Sequence, residues 1–437
     1  MTAPAPGPAG GPARAARPAP APAPAPGPAR APGAGGRPVL ALVVSRRRRF
    51  TRHVLDRPDI DTVLLRPEGS PVGAPGDRPV FVLRDAAPPD REAARFRAWC
   101  AALGRRPRYF CNPDEAAQPS MHRFAAAAGL PHLSPEQVRR ATDKTAMKEL
   151  FADAGLPAAR FRVVTSAAEV KDFAGGHGWP VVVKPALSGS SVDTWKAGPD
   201  DLAAIDRALA APPERTWIVE EYVRGTEHQL CALVHGGEVL DAFIAVNPAP
   251  LLDALSGAMN ADITLAPSEP EPVDGREVAR RVVDALGYRD GYLHAEFFLR
   301  PDGSFVMGEV AARLGGAELP VSHGLSRGFD MLAAVADVYV GRRPPLEYTR
   351  SRSVGELLLP ARRGVVTEIT PLEELLAMPG VLSGELTASV GDRLDPPRAS
   401  SACAGHVHIE GENSGVVLNR MREVLSSFTL EVSEAAP

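Results

Sequence analysis

Cysteine is scarce in this chain. Its four cysteines among 437 residues (Cys100, Cys111, Cys231 and Cys403) lie far apart, with no CxxC pair and no zinc-type spacing. That excludes a disulfide scaffold and a zinc module, and it predicts free thiols in a reducing cytoplasm. No apolar run reaches the roughly eighteen residues that a membrane helix needs, and the N-terminus lacks the apolar core of a secretory signal. Charge of one sign is also missing: 49 basic against 53 acidic residues leave a formal charge of −4, which excludes a general nucleic-acid binder. No Ser/His/Asp or Cys/His signature of a protein nucleophile is present. What the chain does have is length and 44% hydrophobic residues, enough for two or three domains with large cores.

Residues 1–37 are almost entirely Ala, Pro, Gly and Arg and read as a disordered tail without a chemical role. Order begins with the apolar run at 39–44, a strand buried on both faces. Similar runs at 62–66 and 80–84, a helix over 90–103 and a strand at 108–111 predict a parallel α/β layer from about 38 to 125. The cluster Arg46–Arg49 follows the first strand, where open α/β sheets bind ligands. It is either a solvated face, or one or two of its arginines meet an anionic substrate.

From Leu133 the pattern changes. One helix is expected from Ser134-Pro135 to Gly155, then a strand at 161–164 and a helix capped by Thr165 or Ser166. A strand at 179–185 ends in Lys184 and Pro185, and the small loop Ser188-Gly189-Ser190-Ser191 follows. A lysine at a strand end beside a Gly/Ser loop is a workable phosphate grip, because loop N–H groups ring an anion and the ammonium adds a point charge. Next come a helix at 200–211 and strands at 216–223 and 227–234. A two-residue hairpin turn at Asp302-Gly303 then sets Leu299 opposite Val306, Glu296 opposite Glu309 and His294 opposite Ala311. Directly opposed acids repel, and a hard divalent cation between them removes the conflict.

In this order and spacing, DKTAMKELFADAGLPAARF, VVVKPALSGSSV, VEEYVRGTEHQL and HAEFFLRPDGSFVMGEVAARLGG resemble the ATP-grasp carboxylate–amine ligases. The texture is similar to that of bacterial L-amino-acid ligases, which make dipeptides, and the stretch from Pro379 to Gly411 is similar to their small closing domain. The resemblance implies an α/β and α+β fold: an N-terminal Rossmann-like domain (38–140), a central lid domain (141–222) and a larger catalytic domain (223–437) with a closing subdomain near 355–437. It implies ATP and Mg²⁺, or Mn²⁺ in its place, as cofactors. Small-molecule acid and amine partners, amino acids by kind, and a homodimer follow from it too, with no membrane and no nucleic acid.

By the same resemblance, Lys144 and Lys184 hold the α- and β-phosphates, and Ser188, Gly189, Ser190 and Ser191 close over them. Glu220, with the backbone of Glu221 and Val223, reads the adenine edge, and Glu227 binds the ribose. Glu296 and Glu309 are the magnesium ligands, and Arg313 stands at the transferred phosphoryl and acyl groups. One departure is Ala311, where the family often has asparagine. Either His294 or a water takes that place, or His294 packs beside it, so the second ion is in question. The implied reaction forms an acyl phosphate and then an amide; the alternative is a nucleotide-binding protein without turnover. For the acceptor pocket the irregular stretch 247–274 offers Met259, Asn260 and Asp262. His323 is expected to cap or pack, and His406 and His408 to lie solvent-side or at an interface.

Overall fold

A computed structural model describes residues 36–433, apart from 74, 77, 211–214, 317, 396–398, 400, 401 and the side chain of 255. Of the expected tail at 1–37, all but the last two residues lie outside this set.

Four parallel strands open the fold, in the order Val80–Leu83, Asp61–Pro67, Val39–Val43, Tyr109–Cys111. Parallel pairing needs crossovers, and the helices Arg48–Asp56 and Pro89–Ala102 supply them. Both faces of the sheet are buried. Ala41, Val43 and Val63 pack on Phe81, Phe96 and Phe124. Leu40, Leu42 and Leu64 share a core with Leu233, Tyr292, Met331 and Val335 from the later part of the chain. This layer therefore docks through its own core, flanked by the ion pairs Arg57–Asp337 and Arg342–Asp59.

The expected helix at 134–155 is two helices, Pro135–Thr142 and Lys144–Asp153, broken at Asp143. Asp143 accepts hydrogen bonds from the Thr145 N–H (2.8 Å) and hydroxyl (2.6 Å). This local bonding competes with helix continuation, and the restart aims Lys144 inward. A four-stranded antiparallel sheet follows, ordered Phe161–Val164, Trp217–Glu221, Val181–Pro185, Trp195–Ala197. The helices Ala167–His177 and Leu202–Leu209 share its core, and Ser166 caps the first of them.

The largest element is an eight-stranded antiparallel sheet. Its order is Phe305–Ala311, Gly291–Leu299, Thr226–His235, Glu238–Val246, Ala261–Thr264, Ser353–Leu359, Gly405–Gly411, Val381–Leu386. Alternation along each strand sorts its side chains by face. One face carries Leu230, Ala232, Ile244, Leu293, Phe297, Leu357, Val407 and Ile409, packed with the helices Lys144–Asp153, Gly275–Leu286 and Ser414–Ser427. The other carries the polar rows that form the site. The segment expected as a closing subdomain near 355–437 contributes three strands to this same sheet. Its remaining strands form a small sheet of Arg393–Leu394, Gly364–Ile369 and Leu430–Ser433.

The acid-bearing hairpin differs from the expected one in its turn. Leu299 pairs with Phe305, not Val306, around the loop Arg300–Ser304. A bulge at Gly308 then restores the opposition of Glu296 to Glu309 and of His294 to Ala311. One extra residue in one strand compensates a one-residue error at the turn. The stretch 247–274 is also more regular than expected: it holds a short helix, Leu251–Ser256, and the sheet strand Ala261–Thr264.

Glu92, wholly buried on the helix Pro89–Ala102, accepts hydrogen bonds from Arg95 and Arg84. The Arg95 guanidinium, against the opposing effect of burial and with help from Arg84, holds it at about 2, below its ordinary 4.5. A lowered carboxylate stabilises the fold above its unfolded value and loses that contribution as pH falls through the folded one. The expected outcome is a melting temperature that drops between about pH 4.5 and 2. Glu92→Gln should cost about 1.5 kcal/mol near neutral pH and flatten that drop, as thermal denaturation across pH would measure.

Candidate functional site

Five charged side chains alternate in sign along one line. Lys148 Nζ lies 3.0 Å from Glu220 Oε1, and Glu220 Oε2 lies 3.0 Å from Lys184 Nζ. Lys184 lies 3.0 Å from Glu309 Oε1, and Glu309 Oε2 lies 3.5 Å from Lys144 Nζ. The line joins the helix Lys144–Asp153, two strands of the four-stranded sheet and the bulged hairpin. Burial works against the charges on both glutamates. The lysines overcome it, lowering Glu220 and holding Glu309 at about 2. Lys184, desolvated but flanked by Glu220 and Glu309, is raised above its ordinary value. Three ammoniums face two carboxylates here, so the line carries an excess positive charge suited to a polyphosphate.

Lys144 also donates to the Ser188 carbonyl at 2.6 Å, which ties the Gly/Ser loop to the line. In that loop Ser190 and Ser191 adopt left-handed φ of 54° and 57°, a conformation that costs non-glycine residues free energy. Glu221 accepts from the Arg160 N–H at 3.2 Å and from Arg300 at 3.3 Å. Val223 is buried with Ala159 and Val306, and Phe298 packs against them.

Negative charge gathers on the adjacent rows. Glu296 pairs across the sheet with Glu309 on one side and Gln229 on the other, and Glu227 lies two residues from Gln229 on the same face. Glu227 accepts from the Leu251 N–H at 2.9 Å. Burial, then the nearby Glu296 and Glu309 carboxylates, push it up to about 8. His294 is buried, with Nε2 3.6 Å from Glu296 and Nδ1 3.4 Å from Cys231 Sγ. A Cβ at Gly315 would lie 2.6 Å from that Nδ1, so the glycine makes room for the ring. Among the described residues no group of three or more His, Cys, Asp or Glu side chains converges as a metal cage. The opposed acids Glu296 and Glu309, with Glu227 pushed up beside them, still fit a divalent ion. It would be an ion shared with phosphate oxygens rather than held by protein alone, as Mg²⁺ prefers.

Arg313 is ion-paired with Glu115 and donates to the Leu314 carbonyl at 2.6 Å. Of the basic run, Arg46, Arg48 and Arg49 are exposed while Arg47 is half-buried. Burial and the Arg313 guanidinium lower Arg47 to about 10, against Glu318, Glu356 and Glu115. The solvated-face reading therefore fits Arg46, Arg48 and Arg49, while Arg47 sits among the acids of the later part of the chain.

The expected acceptor residues separate. Met259 packs against the apolar core of Ile263, Leu357 and Ile409, away from the polar face. The Asn260 carbonyl accepts from the Leu358 N–H. Asp262 is buried on the polar face, opposite Glu356. His323 is 1% exposed, bonds Asp241 at 2.7 Å and stacks on Phe243, as a packing histidine does. His408 is fully buried, which corrects the expectation of a solvent-side or interface position, and His406 is half-buried. Lys148 and Glu115 were not anticipated. Lys148 has a readable signal, since it lies one helical turn from Lys144 and so on the same face. Glu115 has none.

Two family models match the chain: "Phosphoribosylglycinamide synthetase, ATP-grasp (A) domain" over residues 142–318 and "L-amino acid ligase C-terminal domain 2" over 356–433. An L-arginine-specific L-amino acid ligase of Bacillus subtilis is 28% identical over 306 residues, covering 67% of this chain and 72% of that protein. A D-alanine–D-alanine ligase of Streptomyces avermitilis is 34% identical over 207 residues, 42% of this chain and about half (52%) of that one. The structure of an L-amino acid ligase from Bacillus licheniformis superposes with a TM-score of 0.73 at 19% identity, covering 92% of this chain and all of that one. With the lysine–glutamate line inside the first matched region and the last strands of the large sheet in the second, the chain belongs to the ATP-grasp carboxylate–amine ligases and carries the C-terminal domain of their L-amino-acid ligase members.

Proposed function

We propose that this protein uses ATP and Mg²⁺ to activate an amino-acid carboxylate as an acyl phosphate and then joins it to an amine, releasing ADP and phosphate. The observation that carries this reading is the line Lys148–Glu220–Lys184–Glu309–Lys144. Its excess positive charge lies beside opposed acids on a hairpin that also leads to Arg313.

Phosphoryl transfer leaves a protein little covalent work, and catalysis is positioning plus charge stabilisation. Lys144 and Lys184 hold the α- and β-phosphates, and Lys148 keeps Glu220 ionised and in place. Glu220, with the backbone of Glu221 and Val223, bounds the adenine side, and Glu227 accepts from the ribose hydroxyls. Ser188, Gly189, Ser190 and Ser191 close over the phosphates and keep water from the labile acyl phosphate. Glu296 and Glu309 would hold Mg²⁺ or Mn²⁺, which supplies charge neutralisation at the phosphate oxygens. His294, 3.6 Å from Glu296, orients that carboxylate beside the gap left by Ala311. Arg313 faces the transferred phosphoryl group and the oxyanion of the acyl carbon, and its present partner Glu115 releases it when substrate enters. We carry a homodimer and a cytoplasmic setting as parts of the same proposal.

Phosphate release from Mg-ATP with pooled L-amino acids tests the reading. Release that needs amino acids, with a dipeptide product by mass spectrometry, is expected; ATP binding without release under any pool would count against turnover. Glu309→Gln should lower phosphate release by at least about a thousandfold, the scale of losing a transition-state charge contact, with an unchanged circular dichroism spectrum. Lys148→Met should weaken ATP binding about tenfold and lower thermal stability, because Glu220 loses one of its two counter-charges in a buried site. Unchanged ATP affinity and stability in Lys148→Met would contradict the role given to the line.

A further inference from the structure

The polar face of the large sheet does not end at the phosphate site. Asp262 pairs with Glu356, Glu356 with His408, and His408 with Ser383, so four neighbouring strands place these side chains in one row. All but Ser383 are at least nine-tenths buried: Asp262 is 5% exposed, Glu356 1% and His408 0%. Buried polar groups are ordinarily satisfied, and an orphan calls for an explanation. Here Asp262 Oδ1 and His408 Nε2 both lack a hydrogen-bond partner. So does Ser322 Oγ, fully buried on the helix Leu319–Arg327, which packs on the strands of Asp262 and Glu356. Glu356 accepts from the Glu318 N–H at the start of that helix.

We propose that the row Asp262–Glu356–His408 is a specificity subsite for an ammonium or guanidinium group at the far end of the amino-acid substrate. The inference rests on the ligase reading above and deepens it. Two adjacent desolvated carboxyls are a standing cost unless a cation joins them. Burial pushes Asp262 up to about 7. Burial, then Asp262 and Glu318, push Glu356 well above the carboxylate range, against the nearby Arg47. Beside the row, Glu318 and Arg47 act on Glu356, and Arg49 acts on His408. Adding Asp262 and Glu356, acids outnumber the guanidiniums and leave room for an arriving cation. His408 is held neutral by burial, by His406 and by Arg49; its Nδ1 lies 3.3 Å from Ser383 Oγ, and in the tautomer with the proton on Nδ1 the Nε2 lone pair accepts an N–H from the ligand. Asp262 lies three strands from Glu296, roughly 15 Å at the usual strand spacing. That is too far for the α-ammonium of a substrate whose carboxylate meets the phosphates, and it suits the end of a long basic side chain.

The test compares L-arginine with L-citrulline, and L-lysine with L-norleucine, by calorimetric binding to the full chain and by KM in ATP-dependent phosphate release. The cationic member of each pair should bind about tenfold to a hundredfold more tightly, as expected for charge-assisted hydrogen bonds. Glu356→Gln should erase most of that ratio, and so should Asp262→Asn if the first variant fails to fold. Equal affinity within both pairs, or a ratio unchanged in a folded variant, overturns the subsite. Phosphate release with neutral amino acids and no preference for cations would sink the subsite and leave the ligase reading standing. Tight L-arginine binding that Glu356→Gln abolishes, without turnover under any condition, would support the subsite and sink the ligase reading.

Discussion

Three lysines and two glutamates in alternation hold the three parts of the site together. None of the five could be buried alone, because an isolated desolvated charge is costly; placed in series, each screens its neighbours. The line runs from the helix that starts at Lys144, through the four-stranded sheet, to the bulged hairpin, so a shift of any one element would leave a buried charge unpaired. The line is thus a structural joint as well as the feature on which the proposed phosphate grip rests. Its net positive charge sits beside the opposed acids Glu296 and Glu309, and that juxtaposition suits a polyanion bound together with a divalent cation.

The large sheet does the sorting. Strict alternation sends Leu230, Ile244, Leu293, Leu357 and Ile409 to a dry face under helices, and Glu227, Glu296, Asp262, Glu356 and His408 to the other. Because the C-terminal strands continue this sheet, the polar face extends from the opposed acids to the buried row at Asp262. One surface therefore joins the proposed phosphate site to the proposed subsite. The N-terminal layer covers it, sharing the core of Leu40, Leu42, Leu233 and Tyr292, and brings Arg47 and Glu115 over the middle.

Much of this was legible in the residues. The strand at 39–43 and the strand carrying Lys184 follow from local periodicity and turn chemistry, which depend on neighbours in sequence. The helix break at Asp143 was misread because a side chain competing for backbone N–H groups leaves no trace in hydrophobic periodicity. The hairpin was misread at its turn and recovered by a bulge. A count outward from Asp302-Gly303 has no way to see an unpaired Gly308. The histidines at 406 and 408 looked solvent-side because an alternating strand does not reveal whether its polar face is covered.

Local sequence by itself determined most of the elements and part of the chemistry-bearing set: Lys184 beside its Gly/Ser loop and the opposed acids are short-range patterns whose physics is carried by spacing, whereas the roles of Lys144 and Arg313 came from the resemblance of their motifs. Only the tertiary structure decided which charges meet. Lys148 joins Glu220, Arg313 joins Glu115, and Asp262 comes to lie against Glu356 through strand pairing between residues 94 positions apart. The physical reason is that ion pairing and desolvation act through space, and burial, which sets whether a carboxyl is a surface ornament or a site, is a property of the packed chain alone.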